Sequence, residues 1–161
     1  MEATYYTYQT PKGRITLASN GRAITRLYFG VATFPGVYRA TALTNAAASQ
    51  ILEYLAGKRT SFDVPLEPSG TPFQLRVWSA LQDIPYGETR SYGEIAAAVG
   101  NPKAGRAVGA ANNKNPLPLL IPCHRVVGKN GSLVGYAYGL GLKRFLLDLE
   151  SDAARSGAQS E

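Results

Sequence analysis

The sequence predicts an α+β fold in which a small N-terminal α/β domain precedes a mainly helical C-terminal domain. Residues 1–68 contain short runs of β-branched and aromatic residues separated by turn-forming stretches. Residues 71–150 instead contain helix-start signals and apolar residues at helical spacing. The Glu67-Pro68-Ser69-Gly70 stretch between them has the composition of a linker. The small and polar residues 151–161 predict a disordered tail.

The N-terminal domain is predicted to begin with a β-meander. Its strands are predicted at residues 4–9, 14–19 and 23–29. The dipeptide Asn20-Gly21 is a strong signal for a hairpin between the last two strands. Because this domain contains no recognisable chemical motif, we expect it to support the rest of the chain.

A helix and a further strand are expected after the meander. Thr44 or Asn45 is predicted to cap the helix, and Gly57 is predicted to end it. A further strand is expected at residues 61–64.

Two capping boxes mark helix starts in the C-terminal domain. Thr71 with Gln74 forms the first, and Ser91 with Glu94 forms the second. Pro72 occupies the first helical position after Thr71, where proline is favoured. One face of the first helix is predicted to contain Leu75, Trp78 and Leu81.

A helix-turn-helix is predicted from the second capping box onward. The helix that starts after Ser91 should end at Gly100, and Asn101 with Pro102 should start the next one. Two short helices joined in this way are typical of DNA-binding motifs. A pair of helices that merely pack against each other would give the same pattern.

The second helix of this pair is built from unusually small residues around one arginine. Arg106 is the only long side chain between Ala104 and Ala111, and its neighbours include Gly105, Ala107 and Gly109. Small residues let a backbone approach another surface closely, which indicates a narrow groove such as the DNA minor groove. A regulator that reads the major groove would need several long polar side chains here.

The stretch from Asn115 to Val127 contains the only cysteine and the only histidine, Cys123 and His124, side by side. A thiolate is a strong nucleophile, and a nearby imidazole can accept its proton. Three prolines in the stretch indicate a rigid loop. Because adjacent side chains of an extended chain point in opposite directions, the pair needs a bend after Pro122 or a bridging water. A buried structural cysteine beside an exposed histidine is the alternative.

Composition limits the possible functions. The net charge of +6 and the pI of about 9.5 permit nucleic acid as a partner, although an ordinary basic domain has the same balance. One cysteine and one histidine leave no intramolecular disulfide, no usual zinc site and no predicted metal site. The absence of a signal peptide or a long apolar run predicts a cytoplasmic protein without a membrane partner.

An amphipathic helix is predicted near the C-terminus, from Leu142 to Glu150. Its apolar stripe consists of Leu142, Phe145, Leu146 and Leu149. The segment before it, residues 133–139, is rich in glycine and tyrosine and is expected to be flexible.

The segment Pro122-Cys123-His124-Arg125-Val126 resembles the active-site motif of the O6-alkylguanine-DNA alkyltransferases, and Asn115 has the spacing seen in that family. The resemblance extends from Thr71 to Glu150 and implies a ribonuclease H-like N-terminal domain. It implies irreversible transfer of an alkyl group from O6 of guanine to the cysteine, with no cofactor and one reaction per molecule. The implied partner is double-stranded DNA containing O6-alkylguanine, which a monomer binds through the minor groove. Ligands for the N-terminal zinc of some members are absent.

The same resemblance implies a role for individual residues. His124 would accept the thiol proton through a water and Glu150 would orient it, while Tyr92 would donate a hydrogen bond to the departing base. Arg106 would fill the gap left by the flipped nucleotide, and Asn115 would brace the reactive turn. The implied catalytic residues are Cys123, His124, Glu150, Tyr92 and Asn115. The implied DNA contacts are Arg106, Gly105, Ala107, Gly109, Tyr92 and Arg125. The implied base pocket contains Pro118, Val126, Tyr136, Ala137 and Tyr138.

Two other classes remain as alternatives. A lesion-binding relative without chemistry would lack the reactive cysteine, so Cys123 argues against that class. A cysteine hydrolase would need an oxyanion hole, which no part of the sequence indicates. Some members of the resembled family have glycine where this chain has Tyr138, so we expect this chain to prefer methyl over benzyl groups.

Overall fold

The computed structural model describes the backbone of residues 2–159 and the side chains of residues 2–152. The chain divides into two compact units, residues 1–69 and 70–161. The division falls inside the segment that the sequence marks as a linker.

A four-stranded sheet in the order β3-β2-β1-β4 forms most of the N-terminal unit. The strands are β1 (Thr4–Thr10), β2 (Gly13–Ser19), β3 (Ile24–Phe29) and β4 (Val37–Tyr38). The first three are antiparallel neighbours, and β4 pairs in parallel with β1. The three predicted strands are therefore confirmed within a residue at each end. The short β4 lies in a stretch with no strand signal.

One helix, α1 (Ala42–Leu55), covers this sheet. Its N-cap is Thr41, not Thr44 or Asn45, because the Thr41 backbone is extended and its hydroxyl accepts from the backbone N–H of Thr44. Thr44 acts as the third residue of a capping box, a place where glutamate or glutamine is the usual signal. Gly57 follows the helix end with a φ of +76°, as predicted.

The prediction of a further strand at residues 61–64 is wrong. Pairing in this region is limited to one bridge between Ile24 and Leu66. Ile24 donates to the Pro65 carbonyl at 2.9 Å and accepts from Glu67 at 2.9 Å, so the contact spans only a few residues.

Besides the 3₁₀ turns Cys123–Arg125 and Lys129–Gly131, five short helices and strands precede the last helix in the C-terminal unit. They are α2 (Pro72–Gln82), β5 (Arg90–Ser91), α3 (Tyr92–Ala98), α4 (Gly105–Asn113) and β6 (Val126–Val127). Both predicted capping boxes form with the predicted partners. The buried face of α2 contains Val77, Trp78 and Leu81, whereas Leu75 is 41% exposed. The predicted face is therefore confirmed at Trp78 and Leu81 and wrong at Leu75.

The helices α3 and α4 form the predicted pair, but α4 starts later than expected. Asn101 does not cap it. Its carbonyl accepts from Ala104 at 3.0 Å, so Pro102 and Lys103 lie in a turn before the helix. Ala104 occupies the N-cap without any side-chain hydrogen bond. Gly100 separates the pair with a φ of +85°, a conformation that glycine adopts without strain.

The last helix, α5 (Leu140–Gln159), is longer than the apolar stripe predicted. Residues 151–159 are helical instead of disordered because this stretch contains no proline and several good helix formers. Residues 160 and 161 of the expected tail lie outside the described residues. Within the described range no helix has the length and apolar character needed to cross a membrane.

Candidate active site

The reactive loop, residues 115–127, is braced from inside by Asn115. The Asn115 side chain donates to the carbonyl of Ile121 at 2.9 Å and accepts from the N–H of Leu117 at 2.9 Å. Leu119 has a φ of +73°, which is uncommon for a branched residue and shows how tightly the loop turns. The amide therefore closes the turn that presents the cysteine.

Cys123 and His124 lie on one turn of 3₁₀-helix, Cys123–Arg125. Arg125 N–H donates to the Pro122 carbonyl at 3.0 Å, so the backbone bends immediately after this proline. No hydrogen bond joins the cysteine and histidine side chains in the part of the chain that the structure describes. Successive residues of a 3₁₀-helix point about a third of a turn apart, so a proton that moves between these two side chains needs a bridging water.

His124 is fully buried and bonded to Glu150 of α5. Its Nε2 lies 2.7 Å from Glu150 Oε2, and the two side chains are 0% and 1% exposed. Because a carboxylate accepts and does not donate, the neutral imidazole carries its proton on Nε2. His124 Nδ1 is then a buried acceptor, and it has no protein partner among the described residues.

Burial lowers the pKa of His124 from its ordinary value of 6.5. Glu150 raises this pKa, while the charges of Arg125 and Lys143 lower it. The net direction keeps the imidazole neutral near pH 7, so Nδ1 is ready to accept a proton.

Arg125 holds the same carboxylate from its other side. Its Nε donates to Glu150 Oε1 at 2.8 Å and its Nη2 to Oε2 at 2.9 Å, while Nη1 donates to the Ile84 carbonyl at 2.8 Å. The side chain is buried, so its guanidinium is directed inward in this structure. Arg125 thus forms an internal bidentate ion pair, and the DNA contact expected for it stays a prediction.

Cys123 is 4% exposed, and burial raises the pKa of its thiol above the ordinary value of 9.0. A hydrogen bond from Asn115 and the positive charge of Lys143 act in the opposite direction. The thiol is consequently protonated at neutral pH and needs a base to become nucleophilic.

Lys143 is a buried cation beside the thiol that the sequence did not reveal. Its Nζ donates to the carbonyls of Val126, Val134 and Gly135 at 2.5, 3.0 and 3.3 Å. Lys143, Leu146 and Glu150 form one buried face of α5, at spacings of three and four residues. That spacing is the signal by which Lys143 could have been found.

The wall segment, residues 133–139, runs between the loop and α5. Tyr92 of α3 donates to its Val134 carbonyl at 3.1 Å. Burial raises the pKa of Tyr92, and that of Tyr136 well above 10, and a charge effect of Cys123 raises both further. The Tyr136 hydroxyl is buried without a hydrogen-bond partner of good geometry, and its ring meets that of Tyr138 edge-on at 6.1 Å.

The remaining pocket candidates differ in exposure. Pro118 and Val126 are buried, whereas Ala137 is exposed. The charge effect of Cys123 on both Tyr92 and Tyr136 shows that the structure brings these three residues together.

The α4 candidates occupy the outer part of that helix. Arg106 and Ala107 are exposed, and a side chain added at Gly105 would meet open space. A Cβ at Gly109 would lie 3.8 Å from the ring of Tyr92, an ordinary van der Waals distance, so the tyrosine packs beside α4 at this position.

The opposite face of α4 is buried. It contains Val108, Ala111 and Asn112. The indole N–H of Trp78 donates to the Ala111 carbonyl at 2.8 Å, and Asn112 donates to the Cys123 carbonyl at 3.3 Å. Among the described residues no three potential ligands come together to hold a metal ion.

Several known proteins are similar to this chain in sequence and in structure. A constitutive methylated-DNA–protein-cysteine methyltransferase of Bacillus subtilis is 47% identical over 91% of this chain and 94% of that protein. A methyltransferase of the same name from Methanosarcina acetivorans is 62% identical over 65% of this chain and 67% of that protein. A crystal structure described as Mycobacterium tuberculosis OGT in complex with DNA superimposes with a TM-score of 0.87, at 47% identity, over 93% of this chain and 94% of that one.

Two family descriptions match nearly the whole chain. Residues 3–68 match the ribonuclease-like domain of 6-O-methylguanine DNA methyltransferase, and residues 72–152 match its DNA-binding domain. The expected pairing of a ribonuclease-like domain with a helical DNA-binding domain is thereby confirmed. The chain belongs to the 6-O-methylguanine DNA methyltransferase family.

Proposed function

We propose that this chain repairs DNA by moving an alkyl group from O6 of guanine to Sγ of Cys123, once per molecule. The observation that carries the proposal is a buried thiol next to a buried His124–Glu150 pair, in a chain whose relatives are named methylated-DNA–protein-cysteine methyltransferases. The sequence contains no second cysteine that could remove the alkyl group again.

The first step is deprotonation of the thiol. The proton of Cys123 passes through one water to Nδ1 of His124, because this nitrogen is the free acceptor of the ring. Glu150 then stabilises the imidazolium through Nε2, and Arg125 holds the carboxylate in place.

The second step is displacement at carbon. The thiolate attacks the alkyl carbon, a C–S bond forms, and the O6–C bond breaks with its electron pair moving to guanine. Tyr92 donates a hydrogen bond to the departing base, for which its hydroxyl must leave the Val134 carbonyl. The departing guanine anion takes up one proton from solvent and the imidazolium of His124 releases one to solvent. The net reaction converts a thiol and an alkylguanine to a thioether and guanine.

Lys143 supports both steps by electrostatics. Its ammonium lowers the pKa of Cys123 and so favours the thiolate. Its three carbonyl bonds also hold the wall segment against the reactive loop. It acts as a positioning residue for the nucleophile and for the pocket.

Access to O6 requires that the guanine leave the base stack, at a cost of a few kcal/mol. We assign this task to α4, with Arg106 entering the duplex from the minor groove as the base rotates out. The exposed position of Arg106 among small residues supports this assignment. We also propose that the protein acts as a monomer and in the cytoplasm.

The decisive experiment is incubation with duplex DNA that contains O6-methylguanine, followed by intact mass measurement and peptide mapping. We expect one methyl group per molecule, located on Cys123, and no further reaction. Cys123→Ser should bind the same DNA without gaining a methyl group. Sustained turnover, or methylation elsewhere, would contradict the proposal, and binding without transfer by the wild type would identify a lesion-binding protein.

A further inference from the structure

We propose that Asn112 is a positioning residue for the reactive cysteine, whose amide nitrogen holds the Cys123 carbonyl and whose amide oxygen binds the relay water between Cys123 and His124. This inference rests on the proposed function and adds a residue to it. None of the sequence-based expectations included Asn112.

Asn112 is fixed from two sides. It lies on α4, is 2% exposed, and its Nδ2 donates to the Cys123 carbonyl at 3.3 Å. The preceding residue, Ala111, accepts the indole N–H of Trp78 at 2.8 Å. A rotation of α4 would break both of these hydrogen bonds. Together they fix the Asn112 amide relative to the reactive loop.

Two buried acceptors close to the backbone of Cys123 have no protein partner in the described residues. They are Oδ1 of Asn112 and Nδ1 of His124. Asn112 touches the Cys123 carbonyl, and His124 follows Cys123 in the chain, so both acceptors belong to the surroundings of one residue. Buried polar atoms are almost always hydrogen-bonded, which indicates that a small donor serves both.

A single water satisfies the groups present. Two acceptors cannot bond to each other, but the two hydrogens of a water can serve Asn112 Oδ1 and His124 Nδ1. The water oxygen then accepts the S–H of Cys123. This gives three hydrogen bonds, which is typical of buried water.

The arrangement gives the proton a direction. The Sγ–H proton moves to the water oxygen, and the water hydrogen that points at His124 moves to Nδ1. The other hydrogen stays on the water oxygen and remains hydrogen-bonded to Asn112 Oδ1, so the water is restored and stays oriented toward the imidazole. The products are the Cys123 thiolate and the His124 imidazolium, with no proton gained or lost.

Substitution of Asn112 by leucine tests the proposal. Leucine is similar in size and favours a helix, but it removes both polar atoms. The matched control is Asn113→Leu, because Asn113 is the exposed neighbour on the same helix. Single-turnover methyl transfer is measured with duplex DNA and with free O6-methylguanine base, from about pH 6.5 to about pH 10.

We expect Asn112→Leu to lower the rate at saturating DNA by roughly 10- to 100-fold near pH 7. The loss should shrink at high pH, where hydroxide replaces the relay in ionising the thiol. The titratable groups that face Cys123 from the neighbouring elements are unchanged in this variant: Tyr92, His124, Tyr136 and Lys143. The DNA concentration for half-maximal rate should stay within about twofold, and Asn113→Leu should match the wild type.

Three results would overturn the proposal. A loss of equal factor at every pH would show a structural role, and a rate like that of the wild type would show no role. A pH-dependent loss in Tyr136→Phe but not in Asn112→Leu would make the Tyr136 hydroxyl the third partner of the water. If thermal unfolding shows that Asn112→Leu is not folded, Asn112→Ser decides, because its hydroxyl can accept from the water and should retain part of the relay. Failure of the wild type to methylate Cys123 would instead refute the proposed function.

Discussion

Lys143 Nζ and the Tyr92 hydroxyl donate to the same acceptor, the carbonyl oxygen of Val134, at 3.0 and 3.1 Å. One backbone atom of the wall segment thus connects α5 to α3. The two donors come from helices that are distant in the sequence. Lys143 lowers the pKa of the Cys123 thiol, and the charge of Cys123 raises the pKa of Tyr92.

Replacing Lys143 by methionine should therefore affect both the nucleophile and the wall. The three carbonyls lose their common donor, which should lower the free energy of unfolding by about 1–3 kcal/mol. Because the ammonium lowers the pKa of the Cys123 thiol, its loss should raise that pKa. The measurements are urea unfolding and the pH dependence of thiol alkylation by iodoacetamide. Lys129→Met, at an exposed lysine, is the control, and an unchanged thiol pKa in Lys143→Met would contradict the electrostatic role.

The pH dependence of methyl transfer should reflect the neutral form of His124. Its pKa is lowered from 6.5, so the imidazole remains a base below that pH, and the rate should fall only in more acidic solution. The thiol pKa is raised from 9.0, so direct ionisation should contribute only above that pH. A single-turnover profile should be flat between these limits. A midpoint of the acid limb above 6.5 would contradict the lowered pKa of His124.

Removing the Arg106 side chain should impair base flipping and leave the chemistry intact. We expect Arg106→Ala to slow transfer from duplex DNA by about 10- to 100-fold, and to change the reaction with free O6-methylguanine base by less than about twofold. Lys103→Ala, at an exposed lysine before α4, should weaken DNA binding only through phosphate contacts and its salt dependence. Equal losses on both substrates would show that Arg106 supports the fold.

The internal ion pair of Arg125 should matter for stability and not for DNA affinity. Arg125→Ala leaves Glu150 without its bidentate partner. This loss should lower the free energy of unfolding by about 3–5 kcal/mol, as for other buried pairs. Arg90→Ala, which removes the exposed pair with Glu88, should cost less than about 1 kcal/mol. Urea unfolding measures both. The variant Arg125→Lys tests the DNA contact. If it is folded and the salt dependence of its DNA binding differs from that of the wild type, Arg125 contacts a phosphate.

Tyr138 should limit the size of the transferred group. Its ring lies edge-on to Tyr136 in the wall segment, where a benzyl group would need space. Overpacking costs about 1–3 kcal/mol, so Tyr138→Gly should be inactivated by O6-benzylguanine about ten- to a hundredfold faster than the wild type. Equal rates would show that this ring does not close the pocket, and reaction with O6-methylguanine serves as the control substrate.

Local signals predicted much of the C-terminal unit. The capping boxes at Thr71 and Ser91 form as expected, because each involves residues only three apart. The start of α4 was missed, because Asn101 bonds Lys103 in a turn and leaves the helix without a side-chain cap. A propensity rule cannot distinguish these two uses of one asparagine.

Contacts between distant residues decided what the sequence could not predict. Arg125 was expected to face DNA, but its partners are Glu150 and the carbonyl of Ile84, which lie 25 and 41 residues away. Lys143 was not predicted as a site residue for a related reason. A lysine at the edge of an apolar stripe ordinarily extends its ammonium into solvent. Only the fold shows that three backbone carbonyls converge on it.

The hydrogen bond between the Trp78 indole and the Ala111 carbonyl makes the intrinsic fluorescence of Trp78 a probe of α4. Trp78 is the only tryptophan in the sequence, so selective excitation reports a single site. That site is the buried face of α4, on the side opposite Arg106. Any displacement of α4 must alter the hydrogen bond of the indole, and with it the emission of the protein. Events at the proposed DNA surface can therefore be followed in real time without a label on either molecule.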